Sequence, residues 1–179
     1  MGSESVGTEM KRRHRVGAAI VGAQKCGTTT LAAMLDEHPQ IRLAVGKESH
    51  LFDQAVVHRD GPTDGDIEQY WPDVSEGELL LDATPSYLYL PGCLEALLRH
   101  SPEVALVVML RSPGDRMVSH YGHERRLGVE RRSPLVAFLL ERRRLRRSTD
   151  PLAVDSAQRH ASYRDRSRYS QQLEHLASL

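Results

Sequence analysis

The segment "VGAAIVGAQKCGTTTLAAML", residues 16–35, constrains this chain more than any other. A short apolar run ends at Gly22, a glycine turn follows, and Leu31, Met34 and Leu35 then recur at helical spacing. Strand, glycine loop and helix in that order aim backbone N–H groups and the positive end of a helix at one point, which makes an anion site. From Gly22 to Gly27 the spacing is that of the phosphate loop G-x-x-x-x-G-K-[ST]. Thr28, however, stands where the lysine belongs, and Lys25 comes three residues early. A triphosphate loop uses its lysine on the β- and γ-phosphates and the next hydroxyl on magnesium. Lys25 instead lies within the turn, where its ammonium suits a single phosphate and the oxygen bridging it to a transferred group. Thr28, Thr29 and Thr30 add hydroxyl donors at the same place.

Further along, His38-Pro39 ends the first helix, because proline disfavours helical geometry in the residue before it. "IRLAV" (41–45) and "GELLLDATP" (77–85) are strand candidates, and "GCLEALLRH" (92–100) has helical spacing. The apolar run "EVALVVMLR", 103–111, predicts a strand covered on both faces. Pro113 and Asp115 suit the first turn of a helix through "GDRMVSHYGHERRL". Residues 148–166 lack a period and read as loop. The closing "SRYSQQLEHLASL" reads as a helix with Tyr169, Leu173 and Leu176 on one face. Alternating strands and helices predict an α/β fold, P-loop-like and three-layered, with a central, mostly parallel sheet flanked by helices. Ligands of such a fold bind beyond the carboxyl ends of the strands. Arg111 then falls at a strand's carboxyl end and Ser119 a short way into the next helix, a second point where charge and hydroxyl can hold a phosphate.

The 179 residues, 40% of them hydrophobic, suffice for one core, so the reading is a flexible segment 1–15 ahead of a single α/β domain, 16–179. No apolar run approaches the roughly 18 residues of a membrane span, and the polar start has no signal-peptide core. The expected setting is cytoplasmic, with Cys26 and Cys93 as reduced thiols. Zero net charge hides an asymmetry: residues 60–82 carry eight acids and no Lys or Arg, whereas arginine crowds 125–147. Around its apolar centre "LVAFLL" the basic stretch reads as an amphipathic helix with a solvated face, the alternative being electrostatic binding of an anionic partner, and no nucleic acid is expected.

Other chemistries fit less well. A cysteine phosphatase motif, C-x5-R, would need arginine where Ala32 stands. His120, His123 and Glu124 have helical spacing, but "HERRL" is not H-E-x-x-H and no third ligand is signalled. They read as helix surface or site rim, and no metal is expected.

"GAQKCGTTTL" resembles the 5'-phosphosulfate loop of sulfotransferases that use 3'-phosphoadenosine 5'-phosphosulfate, and "LRSPGDRMVSHY" resembles their 3'-phosphate strand and helix. Between them, "HPQIRLAVGKESHLFD" is similar to the segment that leads to a catalytic glutamate in the heparan-sulfate-type branch and its bacterial relatives. The resemblance runs through residues 16–127 and implies roles for individual residues. Lys25, Cys26, Gly27, Thr28, Thr29 and Thr30 would hold the 5'-phosphosulfate, and Arg111 and Ser119 the 3'-phosphate. Glu48 would be the general base, with Lys25 and His50 assisting. His50, Asp53, Thr84, Ser86 and Tyr87 would face the acceptor, a carbohydrate or small molecule. The branch carries a lysine where Ala83 stands, so the acceptor need not be heparan-like. The family also continues beyond a point matching Leu179 with a strand and a basic loop. The chain thus resembles a C-terminally incomplete member, whose site further sequence, an oligomer or another chain would complete. Two other readings share the loop: a magnesium-dependent nucleotide kinase, and a non-catalytic nucleotide-binding or assembly module.

Overall fold

The computed structural model describes residues 15–179, so the expectation for 1–15 lies, but for Arg15, outside the described residues. The elements run β1 (Val16–Gly22), α1 (Thr28–Asp36), β2 (Ile41–Leu43), α2 (Ala55–Asp60), α3 (Asp64–Tyr70), β3 (Leu79–Asp82), α4 (Cys93–His100) and β4 (Ala105–Val108). There follow α5 (Pro113–Arg126), α6 (Pro134–Arg147), α7 (Ala157–His160), a 3-10 turn (Asp165–Ser167) and α8 (Tyr169–Ser178). The four strands are ordered β2-β3-β1-β4 and every pairing is parallel. This is the expected α/β sheet flanked by helices.

Alternation along β1 serves two cores. Ala19 and Val21 enter the larger one, with Leu80, Trp71 from the end of α3, and Leu94 and Leu97 of α4. Ala18 and Ile20 face the smaller one, with Leu81 and with Leu31, Ala32 and Leu35 of α1. Each buried Leu or Ile side chain contributes roughly 1.5–3 kcal/mol, so the two-faced central strands fix the sheet. Gly22 is required by packing: a Cβ there would stand 2.7 Å from Leu88 Cβ, where the chain crosses the end of β1.

Three expectations need correction. The strand read over 103–111 is only β4, four residues at the sheet's edge, exposed at Ala105 and half-buried over Leu106–Val108. An apolar run cannot distinguish a central strand from an edge strand whose second flank is bare. In α6 only part of the apolar stretch faces inward. Leu135 and Leu139 are 70% and 67% exposed, whereas Ala137 and Glu141 are buried. Glu141 is drawn in because its carboxylate accepts the backbone N–H groups of Arg164 and Asp165 at 2.7–3.0 Å. Residues 148–166, read as loop, contain α7 and bury Ser156, Ala161, Ser162, Tyr163 and Arg166. Ala161 and Tyr163 join Ala137 in a third cluster against Met117, Tyr121 and Phe138. The acidic stretch also hides α3, whose start is closed by a Thr63–Asp66 capping box.

The carboxyl end of β3 carries the main polar anchor. Asp82 is fully buried, its Oδ1 accepting the Thr84 hydroxyl at 2.7 Å and its Oδ2 the hydroxyls of Ser49 and Tyr87 at 2.7 and 2.8 Å. Burial pushes its carboxyl pKa up, opposed by those three donors. Asp82→Ala strands three buried hydroxyls and is expected to cost at least about 3 kcal/mol in urea unfolding. A loss under about 1 kcal/mol would show that the network is not an anchor.

Candidate active site

The glycine turn joins β1 to α1. Lys25 and Gly27 both sit in the left-handed region, φ 70° and 89°, and Gly27 is the N-cap of α1 without a side-chain cap. Glycine adopts that conformation freely, whereas lysine does so at a cost of roughly 1–2 kcal/mol. The N–H groups of Gly27, Thr28 and Thr29 have no backbone acceptor among the described residues, as expected at a helix start. Cys26 departs from expectation. Its N–H donates to Ala23 O at 3.2 Å and its buried thiol lies 3.5 Å from the Tyr169 hydroxyl, so neither group is turned to a ligand.

Neighbouring strands bring the other expected residues to the same edge. Ala23 N donates to Met109 O and Met109 N to Gly22 O, both at 2.8 Å, which sets the glycine turn beside the chain leaving β4. Arg111 follows two residues later, half exposed, with Nε 4.0 Å from Asp115 Oδ2. On α5, Arg116, His120 and Glu124 are buried, while Ser119 and His123 are half-buried and Arg126 is exposed. Spacing of i, i+4 and i+7 puts Ser119, His123 and Arg126 on one helix face. His120 and Glu124 are therefore interior rather than helix surface. The described residues contain no His, Cys, Asp or Glu group fit to hold a metal.

Residues 44–53 cross the ends of β2 and β3, fastened by Ala44 N to Leu81 O at 3.0 Å and Ala83 N to Lys47 O at 3.3 Å. Lys47 and His50 again take positive φ, 73° and 52°. Non-glycine residues in this region mark segments whose surroundings overrule local preference, and they cluster at functional sites. Glu48 Oε1 accepts Lys47 Nζ at 2.5 Å, and its Oε2 lies 3.4 Å from His50 Nε2. The far side of the imidazole, Nδ1, meets Asp53 Oδ2 at 2.7 Å. Asp53 Oδ2 also accepts Ser86 Oγ at 3.1 Å and Arg159 Nη1 at 3.0 Å.

Charge follows this geometry. Burial would raise the Glu48 carboxyl, but the hydrogen bonds from His50 and Lys47 outweigh it and hold the pKa below its ordinary value. Asp53, with Glu48 next, raises His50 from 6.5 to about 9. Lys25 is lowered by burial first and then by Arg126, while Glu124 and Glu48 pull the other way. His123 is lowered by burial and then by Lys25. Lys25, Glu48, His123, Glu124 and Arg126 thus share one electrostatic neighbourhood.

Because the folded His50 value is raised, its charged form adds stability that is complete below pH about 6.5 and lost as pH rises through about 9. The stability difference between wild type and His50→Gln should therefore be largest below that window and shrink across it in urea melts. A difference independent of pH would deny the His50–Asp53 pair.

The acceptor-facing roles expected of Asp53, Thr84, Ser86 and Tyr87 are not available to them. All four are buried, Asp53 only 2% exposed, and their polar groups are committed to His50, Arg159, Asp82 and one another. They hold the loop that carries Glu48. His50 keeps an exposed edge. Sequence reading put His123 at the helix surface or site rim and missed Arg126 and Arg159. Arg126 was legible from its spacing after Ser119; Arg159, 106 residues from its partner, gave no signal.

A parallel sheet thus carries an anion turn on one strand and a carboxylate–imidazole–carboxylate arm over the next. The chain belongs to the sulfotransferase domain family, which it matches over residues 18–163. It is 33% identical over 113 residues to heparan sulfate glucosamine 3-O-sulfotransferase 6 of Mus musculus, covering 62% of this chain and 31% of that protein. It is 34% identical over 104 residues to heparan sulfate glucosamine 3-O-sulfotransferase 3A1 of Mus musculus, covering 58% and 25%. The chain thus spans about a third or less of the length of these relatives. A sulfotransferase structure from Alicyclobacillus acidocaldarius superposes with a TM-score of 0.67 at 27% identity, over 89% of this chain and 68% of that one.

Proposed function

We propose that this protein transfers a sulfuryl group from 3'-phosphoadenosine 5'-phosphosulfate to a hydroxyl or amine of a carbohydrate, glycolipid or small natural product. The observation that carries the reading is the anion turn after β1, where the N–H groups of Gly27, Thr28 and Thr29 open α1 with no backbone acceptor among the described residues and Lys25 stands in the same turn. The donor set fits such a ligand: residues 22–30 offer N–H groups, an ammonium and hydroxyls, and no carboxylate. When bound, the donor supplies a sulfuryl group activated as a phosphosulfate anhydride.

Lys25 and the amides of Gly27, Thr28 and Thr29 bind the phosphosulfate end and meet charge on the leaving oxygen. Arg111 and Ser119 hold the 3'-phosphate. Glu48 takes the acceptor's proton on Oε2, the oxygen that Lys47 leaves less tightly held, and His50 orients that carboxylate. Ala83 is fully buried, so its side chain reaches no acceptor, and the acceptor need not be heparan-like. A cytoplasmic setting suits two buried free cysteines and is checked by cell fractionation. The reaction is tested by transfer of radiolabelled sulfate from the donor to an acceptor panel. Transfer without added magnesium supports the reading; magnesium-dependent phosphoryl transfer from ATP in its place would support a kinase.

A further inference from the structure

Residues 152–167 send side chains to each of the three segments that build the site. Arg159 reaches the arm over β3, its Nη1 donating to Asp53 Oδ2 at 3.0 Å and its Nη2 to Asp53 O at 3.2 Å. The same guanidinium is fixed from behind by the carbonyls of Leu152 and Ala153 at 2.9–3.2 Å. His160 Nδ1 meets Glu124 Oε2 on α5 at 2.8 Å. Arg166 reaches the anion turn, Nη1 donating to Gln24 Oε1 at 2.6 Å. It is held by Gln158 O at 2.8 Å and by the Tyr89 ring, whose centroid lies 4.6 Å from its Cζ. Arg116 on α5 closes the frame by donating to Ser167 Oγ at 2.6 Å and to Tyr163 O.

These ties are costly to build. Arg166 is 1% exposed, and the hydrogen-bond partners named for it are neutral oxygens. A buried guanidinium without a carboxylate loses several kcal/mol of hydration that fixed dipoles restore only in part. Apolar side chains would fill the same volume at less cost, but would not hold a particular atom of Gln24 or Asp53 in place. In-line transfer demands such placement, because an error near 1 Å costs about 100-fold in rate.

We propose that Arg159 and Arg166 are positioning residues with separable tasks, Arg159 aligning the Glu48–His50–Asp53 arm and Arg166 aligning the donor turn through Gln24. The proposal rests on the sulfuryl-transfer reading. The two tasks predict different kinetic consequences, which a general loss of packing would not. Arg159→Gln is expected to lower kcat about 10- to 100-fold while affinity for 3'-phosphoadenosine 5'-phosphate stays within about twofold. Arg166→Gln is expected to weaken that affinity about tenfold and to keep most of kcat at saturating donor. Arg159→Lys, which keeps a cation for Asp53, should recover most of the lost kcat.

The experiment measures kcat, product-nucleotide affinity and melting temperature for wild type, Arg159→Gln, Arg159→Lys, Arg166→Gln and Arg166→Lys of the whole chain. If a Gln variant does not fold, its Lys variant, which keeps the charge and loses the fork of bonds, is held to the same split at smaller amplitude. Parallel loss of both parameters in both sets, or wild-type kcat in folded Arg159→Gln, overturns the proposal and leaves the reaction standing. Absence of sulfate transfer by wild type overturns both.

Discussion

Lys25→Ala is expected to slow sulfate transfer by about 100- to 1000-fold, the cost of removing one preorganised donor from a developing oxyanion. A lysine held at φ 70° in a turn that glycine would occupy more cheaply is placed there by the turn. Burial and Arg126 lower its pKa, so the free protein holds a cation in surroundings that disfavour one. An anionic ligand relieves that penalty, which ties Lys25 to charge on the donor more than to the fold. Lys25→Arg should recover little, because a planar guanidinium does not replace a compact ammonium within a tight turn. Circular dichroism and melting temperature should match wild type. A rate within about threefold of wild type in Lys25→Ala would remove the lysine from the chemistry.

Glu48→Gln is the complementary case, expected to lower kcat about 100- to 10,000-fold with donor affinity within about twofold. Glutamine keeps the volume and its carbonyl oxygen can still accept Lys47 Nζ, so the loop over β3 should hold its path. What is lost is the lone pair that accepts the acceptor's proton. The hydrogen bonds from His50 and Lys47 keep this carboxyl ionised, ready as an acceptor at neutral pH. A fall in donor affinity that matched the fall in kcat would instead make Glu48 a support for the anion turn.

How far the sequence reaches depends on the range of the interaction. Local order was legible: the strand–turn–helix at 16–35, the helix stop before Pro39 and the helix start at Pro113 all rest on neighbours in the chain. Parallel strands followed from the alternation of elements. The edge position of β4 was not legible, because an apolar run reports burial and not how many neighbours share it. The outward turn of Leu135 and Leu139 was hidden for a similar reason, since Glu141 is drawn inward by backbone amides 23 and 24 residues away. At the site, Lys25 and Arg111 could be placed by reasoning from strand ends. The buried roles of Asp53, Thr84 and Tyr87 and the reach of Arg159 and Arg166 depend on contacts between remote segments, which leave no periodic trace.

The central claim is that the turn from Gly22 to Thr30 serves a phosphosulfate donor and not a nucleoside triphosphate with magnesium. Calorimetric titration of the 179-residue chain with 3'-phosphoadenosine 5'-phosphate and with ATP, each with and without magnesium, tests it most directly. The account predicts saturable binding of 3'-phosphoadenosine 5'-phosphate without magnesium, at least about tenfold tighter than ATP, equivalent to about 1.4 kcal/mol. Tighter binding of ATP that required magnesium would contradict it.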